Sequence, residues 1–170
     1  MKDAKKLIEV LTTQGLKITT VESCTGGALA SAITDIPGAS AIFERGYVTY
    51  STRAKESLAY TAFRGVPMAK AILEHTVYSH AVAAEMALIG CLHAEADIGV
   101  GITGTLSRED PANPKTPVGE VYIAIQILQG APYLGHIIVP SILTRGEAKQ
   151  LVVQGVLEML IRELEKRNLV

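Results

Sequence analysis

Ser23 and Cys24 are adjacent side-chain nucleophiles in the stretch Val21-Glu22-Ser23-Cys24-Thr25-Gly26-Gly27. The stretch follows a β-favouring run, Lys17 to Val21, and precedes the small, helix-compatible residues Ala28 to Ile33. It therefore reads as a sharp strand-to-helix turn. Such a turn exposes unpaired N–H groups at the positive end of a helix dipole, where a carboxylate, a phosphate or a developing oxyanion can be held. The plainer reading is a capped helix start, with Ser23 or Thr25 as N-cap and the glycines easing helix–strand contact. Farther along, Tyr50 closes a β-favouring run and Lys55 follows one to two helical turns later, so both can face one cleft. A serine hydroxyl needs a base to become a useful nucleophile, and a lysine serves when desolvation or a neighbouring cation lowers its pKa. Tyr50 could relay that proton or orient the lysine, while N–H groups near Thr25, Gly26 and Gly27 could stabilise a tetrahedral oxyanion. Cys24 is the rival nucleophile, since a helix N-terminus lowers a thiol pKa, but no histidine is placed by the sequence to pair with it. Taken singly, Tyr50, Lys55 and Arg145 also fit plain structural or solvated roles.

The elements that must position these residues follow from periodicity. Ala4, Leu7, Ile8 and Leu11 recur at helical spacing and predict an N-terminal amphipathic helix ending at Gln14-Gly15. The helix after the turn runs to about Asp35, where Ile36-Pro37-Gly38 ends it. Residues 41–51 predict a strand with Gly46 as a bulge or close-approach point, and Ser51-Thr52 predicts a helix cap. Gly65-Val66-Pro67 opens a short helix through Leu73, and Ser79 caps a longer one to about Ala94 with Val82, Met86, Ile89 and His93 on one face. Asp97 to Thr105 alternates glycine with β-branched residues and predicts a central strand. Its Gly-x-Gly-x-x-Gly pattern is not a dinucleotide fingerprint, because Gly99 and Gly101 lie inside the strand and a polar loop, not a helix, follows. That loop, Leu106 to Pro117 with Lys115 within it, is expected to be exposed, irregular and functional. Gly119–Ile125 and Tyr133–Val139 predict two strands joined by a hairpin turn at Gln129-Gly130-Ala131-Pro132. Thr144 caps a long last helix with Arg145 and Lys149 near its start, where cations oppose the dipole and call for an anionic partner or ligand.

The order of elements predicts one α/β domain over residues 1–170, three layers α/β/α with a mixed, mostly parallel sheet. A length of 170 residues is enough to bury a core without disulfide or metal support. Hydrophobic residues make up 48% and aromatics 5%, with no Trp, so the core is built from Ala, Val, Ile and Leu. The net charge of −1 gives no electrostatic case for nucleic acid or an anionic membrane. With only 19% charged residues, part of the surface is expected to be buried between subunits of a homo-oligomer. Two cysteines without zinc spacing, no signal-like apolar core and no apolar run of spanning length point to a cytoplasmic, soluble protein. His80 and His93 lack a completing carboxylate or Cys, so no metal is expected.

The segments Val21 to Gly27, Gly46-Tyr47-Val48-Thr49-Tyr50-Ser51 with Lys55, Gly101-Ile102-Thr103-Gly104, and Pro117 to Ala124 resemble, in order and approximate spacing, the C-terminal domain family of the competence/damage-inducible protein CinA. The resemblance covers nearly the whole chain. It implies a three-layer α/β/α fold with a mixed sheet, a stand-alone form without the family's nucleotide-processing N-terminal domain, oligomers, and no cofactor or metal. Members include nicotinamide-nucleotide amidases, which convert nicotinamide mononucleotide to the acid and ammonia. The resemblance then makes Ser23 the nucleophile with Tyr50 and Lys55 as activating partners, and places a small nucleotide substrate against Thr25, Gly26, Gly27, Thr103, Gly104 and Arg145. Two departures bear on the substrate. Thr105 to Pro111 replaces a short Gly- and Pro-containing loop, and the family's Gly-Asp-Arg start to the last helix is represented by Arg145 and Lys149 alone. The alternative is a non-catalytic nucleotide- or anion-binding module of the same family.

Overall fold

The computed structural model describes residues 2–114, 116–127 and 130–170. Among these, five strands form one sheet in the order β2-β1-β3-β4-β5. β1 is Ile18–Glu22, β2 Tyr47–Val48, β3 Ile98–Gly104, β4 Glu120–Ile127 and β5 Tyr133–Ile138. β1 pairs in parallel with β2 and β3, whereas β4 is antiparallel to both β3 and β5. Of the five, β4 therefore runs against the other four, which is the mixed, mostly parallel sheet expected. Gln129 of the expected hairpin turn and Lys115 of the long loop lie outside the described residues.

Helices cover both faces of the sheet. On one side, α1 (Lys2–Gln14), α2 (Ala28–Thr34) and α6 (Arg145–Lys166) pack with the sheet into an aliphatic core that includes Leu7, Leu11, Leu29, Ile33, Val156 and Leu160. On the other, α3 (Thr52–Thr61), α4 (Gly65–His75) and α5 (His80–Ala94) enclose Val21, Ala59, Met68, Val82, Met86 and Ile89. The predicted caps are in place: Ser51 accepts from the Ala54 amide, Ser79 from Val82, and Thr144 forms a reciprocal capping box with Glu147.

The glycine alternation of β3 has a packing cause. Successive side chains of a strand point to opposite faces. Ile98, Val100 and Ile102 enter the α1/α2/α6 core, so Gly99 and Gly101 face α5. A Cβ on Gly101 would stand 2.0 Å from the Ala83 carbonyl oxygen, and one on Gly99 would stand 2.1 Å from that of Ala87. The strand lets a helix backbone approach rather than a dinucleotide. Gly101→Ala is accordingly expected to cost at least about 3 kcal/mol through overpacking, seen as a lower Tm. An unchanged Tm would contradict this account of the helix–sheet contact.

The strand predicted over 41–51 is reduced to Tyr47–Val48, preceded by a 3-10 turn at Ala39–Ala41. The segment between them follows β1 by isolated contacts instead of a ladder. The Ile18 amide donates to the Ile42 carbonyl, Thr19 Oγ1 donates to the Arg45 carbonyl, and Gly46 sits so close to Thr20 that a Cβ would lie 2.6 Å from its Oγ1. Gly46 is thus a close-approach point, and its aromatic and β-branched neighbours suggested more strand than the backbone forms.

Candidate active site

β1 ends at Glu22, and the chain turns through Ser23, Cys24 and Thr25 into two glycines with left-handed φ, +63° at Gly26 and +92° at Gly27. Glycine reaches this region without the Cβ clash that other residues meet. The turn leaves Ser23 at the floor of a cavity of about 390 Å³ that is also lined by Cys24, Tyr50, Lys55, Tyr78, Gly104, Arg108, Asp110 and Arg145.

Lys55 reaches Ser23 from the first turns of α3. Its Nζ donates to Ser23 Oγ at 2.9 Å and to the Thr49 carbonyl at 2.8 Å. Ser23 is 3% exposed and Lys55 2%, so the pair lies in a nearly dry environment. Burial pulls the Lys55 ammonium down from 10.5 to about 8, against the opposing influence of Cys24 and Asp110. Two residues 32 positions apart thus meet because β1 and α3 deliver them to one end of the sheet.

Cys24 behaves differently. It is part of the aliphatic core, and burial pushes its thiol up to about 12, with Lys55 only partly offsetting that rise. A thiol in that condition stays protonated near neutral pH.

The helix start differs from the expected anion site. Neither Ser23 nor Thr25 caps α2, whose N-cap is Gly27 without a side-chain bond. The buried Glu22 carboxylate performs that task, accepting from the amides of Gly27, Leu29 and Ala30. The Gly26 amide donates to the Ser23 carbonyl. The amides of Gly26 and Gly27 are therefore already engaged. Among the described residues, the amides of Cys24 and Thr25 turn towards the Cys24 sulfur, a weak acceptor, and Thr25 Oγ1 is buried without a partner. Glu22 was visible in the sequence beside the nucleophiles, but which amides it would occupy depends on the turn.

The other predicted residues fall in three groups. Tyr50 is 61% exposed at the cavity mouth, where its hydroxyl accepts from Arg145 at 2.5 Å, and it is not a hydrogen-bond partner of Ser23 or Lys55 among the described residues. Gly104 lines the cavity, but Thr103 does not: its buried hydroxyl donates to the Val77 carbonyl. Arg145 and Lys149, one turn apart on α6, have no carboxylate within ion-pair distance among the described residues. The Lys149 ammonium lies against the turn, 3.1 Å from where a Cβ on Gly26 would stand.

Tyr78 and Asp110 are cavity residues that the sequence reading did not single out. The Tyr78 hydroxyl donates to Asp110 at 2.6 Å, which ties the loop after β3 to the segment between α4 and α5. That loop is irregular, as expected, yet well anchored. Leu106 is buried in the core, and Thr105 Oγ1 donates to the Pro117 carbonyl and accepts from the Gly119 amide. His80 and His93 serve separate contacts, His80 with the Gly135 carbonyl and His93 with Leu58 and Thr61. No cluster able to hold a metal occurs among the described residues. Nor is any helix among them long and apolar enough to cross a membrane.

The comparisons agree with this architecture. Residues 2–164 match the family model of the CinA C-terminal domain. The chain is 38% identical over 130 residues to a nicotinamide-nucleotide amidohydrolase, PncC, of Escherichia coli, covering 76% of this chain and 74% of that one. It is 42% identical over 113 residues to the protein of the same name from Enterobacter agglomerans, covering 66% and 64%. The solved structure of competence/damage inducible protein CihA from Agrobacterium tumefaciens superposes with a TM-score of 0.83 at 30% identity, covering 95% of this chain and 93% of that one. With sequence and fold in agreement over nearly its full length, the chain belongs to the CinA C-terminal domain family.

Proposed function

We propose that the protein is a serine amidohydrolase that deamidates nicotinamide mononucleotide, or a related pyridine nucleotide, to the acid and ammonia. The observation that carries this reading is the buried 2.9 Å contact between Ser23 Oγ and Lys55 Nζ at the floor of an open cavity. The relatives named nicotinamide-nucleotide amidohydrolase support the choice of substrate. In the reaction, neutral Lys55 takes the Ser23 proton as Oγ attacks the carboxamide carbon. The oxyanion is met by the amides of Cys24 and Thr25, whose resting acceptor is the weakly accepting Cys24 sulfur. Lys55 then returns the proton to nitrogen, ammonia leaves, and an acyl-enzyme remains on Ser23. Water, activated by the same lysine, releases the acid.

Arg145 and Lys149, with no carboxylate partner among the described residues, are the cations offered to the substrate phosphate. Tyr50 supports this grip by holding Arg145, and a proton relay through Tyr50 requires its ring to swing inward from that bond. The exposed apolar side chains Tyr60, Phe63, Val66 and Leu73 around α3 and α4 support a homo-oligomer.

Ammonia release from nicotinamide mononucleotide by the purified protein is the direct test. Cys24→Ser is expected to retain activity within about fivefold, because a buried protonated thiol takes no part in the attack. A loss as large as that from removing Ser23 would return the nucleophile to Cys24. Saturable nucleotide binding with no turnover across an amide panel would instead favour the non-catalytic module.

A further inference from the structure

The carboxylate of Asp110 is held entirely by neutral donors. Tyr78 and the Asn113 amide group donate to Oδ2 at 2.6 and 2.8 Å, and the Ala112 amide donates to Oδ1 at 3.0 Å. These bonds, that of Tyr78 foremost, keep its carboxyl below the ordinary aspartate range, so it is ionised at neutral pH. Tyr78 is itself fixed in place, because the preceding Val77 is buried and its carbonyl accepts from Thr103 Oγ1 at the end of β3. Asp110, Tyr78, Ala112 and Asn113 all line the cavity that contains Ser23 and Lys55. Arg108 and Arg145 line it too, yet no lysine or arginine nitrogen lies within 4.0 Å of Asp110 among the described residues. The cavity therefore keeps charges of both signs apart instead of cancelling them in an ion pair.

We propose that Asp110, held by Tyr78, is a specificity residue for a cationic, N-substituted pyridinium ring, so that the site prefers a quaternised pyridinium carboxamide nucleotide to neutral carboxamides. This rests on the amidohydrolase reading and extends it to the charge of the substrate ring. A quaternary ring nitrogen carries no proton and cannot donate a hydrogen bond. What stabilises it is a negative potential and an aromatic face. A carboxylate whose oxygens are already occupied by neutral donors supplies that potential without needing a donor from the ligand. The Tyr78 ring, on the same wall, supplies the face. A substrate with an anionic phosphate and a cationic ring is a zwitterion, and Arg145, which has no carboxylate partner among the described residues, together with Asp110 offers it both complements. A neutral amide of the same shape gains from the cation alone.

The test uses binding rather than turnover. Ser23→Ala protein is titrated with nicotinamide mononucleotide and, separately, with its reduced dihydropyridine form, which carries the same ribose phosphate on a neutral ring. The cationic form should bind roughly five- to tenfold more tightly, the scale of one opposite charge in a half-exposed cavity. Adding Asp110→Asn should bring the ratio close to one by weakening only the cationic form. Adding Tyr78→Phe should reduce it in part. Equal affinity for the two forms in the Ser23→Ala protein would overturn the inference while leaving the amidohydrolase reading intact, and this comparison needs no change in the loop. An Asp110→Asn loss shared equally by both forms would also overturn it, since that is the effect of a loop clasp alone. Failure of nicotinamide mononucleotide itself to bind would instead remove the amidohydrolase reading and this inference with it.

Discussion

Ser23→Ala is expected to lower the rate of ammonia release by at least about a thousandfold, because the covalent step has no other nucleophile and the remaining site offers only binding and oxyanion contacts. The KM should change little, as Ser23 contributes to bond making more than to holding the nucleotide. The fold should survive. The substitution removes one hydrogen bond at the cavity floor, worth about 1 kcal/mol, and Lys55 keeps its bond to the Thr49 carbonyl. A steady-state comparison of kcat and KM, with Tm as the control, checks the result. Undiminished kcat in a well-folded Ser23→Ala protein would end the serine mechanism.

The second large effect separates activity from stability at Lys55. Lys55→Met is expected to be inactive and yet more stable than the parent at pH 7. The folded protein holds this ammonium at about 8 instead of 10.5. Burying it protonated therefore costs about 3 kcal/mol relative to the unfolded chain, at about 1.4 kcal/mol per tenfold in proton affinity. Methionine fills a similar volume without the charge. The bonds lost to Ser23 and to the Thr49 carbonyl return about 2 kcal/mol of that. The net expectation is a gain of about 1 kcal/mol, or roughly 2–4 °C in Tm for a chain of this size. The sign of the pH dependence follows from the same depression. Between about 8 and 10.5 the unfolded chain binds more protons at this position, so the cost is complete below about 8 and fades as pH rises towards 10.5. The Tm advantage of Lys55→Met should accordingly shrink in alkaline buffer. Thermal melts of both proteins at pH 7 and pH 10 provide the check, and a Lys55→Met protein that melts well below the parent at pH 7 would contradict the burial argument.

Much of the layered architecture was legible because its signals are local. The apolar stripe of α1, the caps at Ser51, Ser79 and Thr144, and the β-branched run of β3 each follow from a few neighbouring residues. The short β2 was less legible, since whether residues 41–51 form a ladder depends on how Gly46 meets Thr20 on another strand. The site shows the same division. Ser23 could be singled out from its turn, and Lys55 from its helical position. Their separation of 2.9 Å depends on the parallel pairing of β1 and β2 that brings α3 back over the turn. The helix start read as an open anion site because dipole reasoning counts free amides, whereas Glu22 fills them from the strand side. Tyr78 and Asp110 could not be paired in advance: they are 32 residues apart, in segments without periodicity, and meet only where β3 ends.

The central claim is that neutral Lys55 activates Ser23, and the pH dependence of kcat/KM for deamidation of nicotinamide mononucleotide tests it most directly. With a lysine at about 8, only about one molecule in ten carries the free base at pH 7. The predicted profile rises with pH through a single ionisation near 8 and reaches a plateau above it, with Lys55→Met at background throughout. A profile that is flat from pH 6 to 10, or that falls as pH rises through 8, would contradict the account.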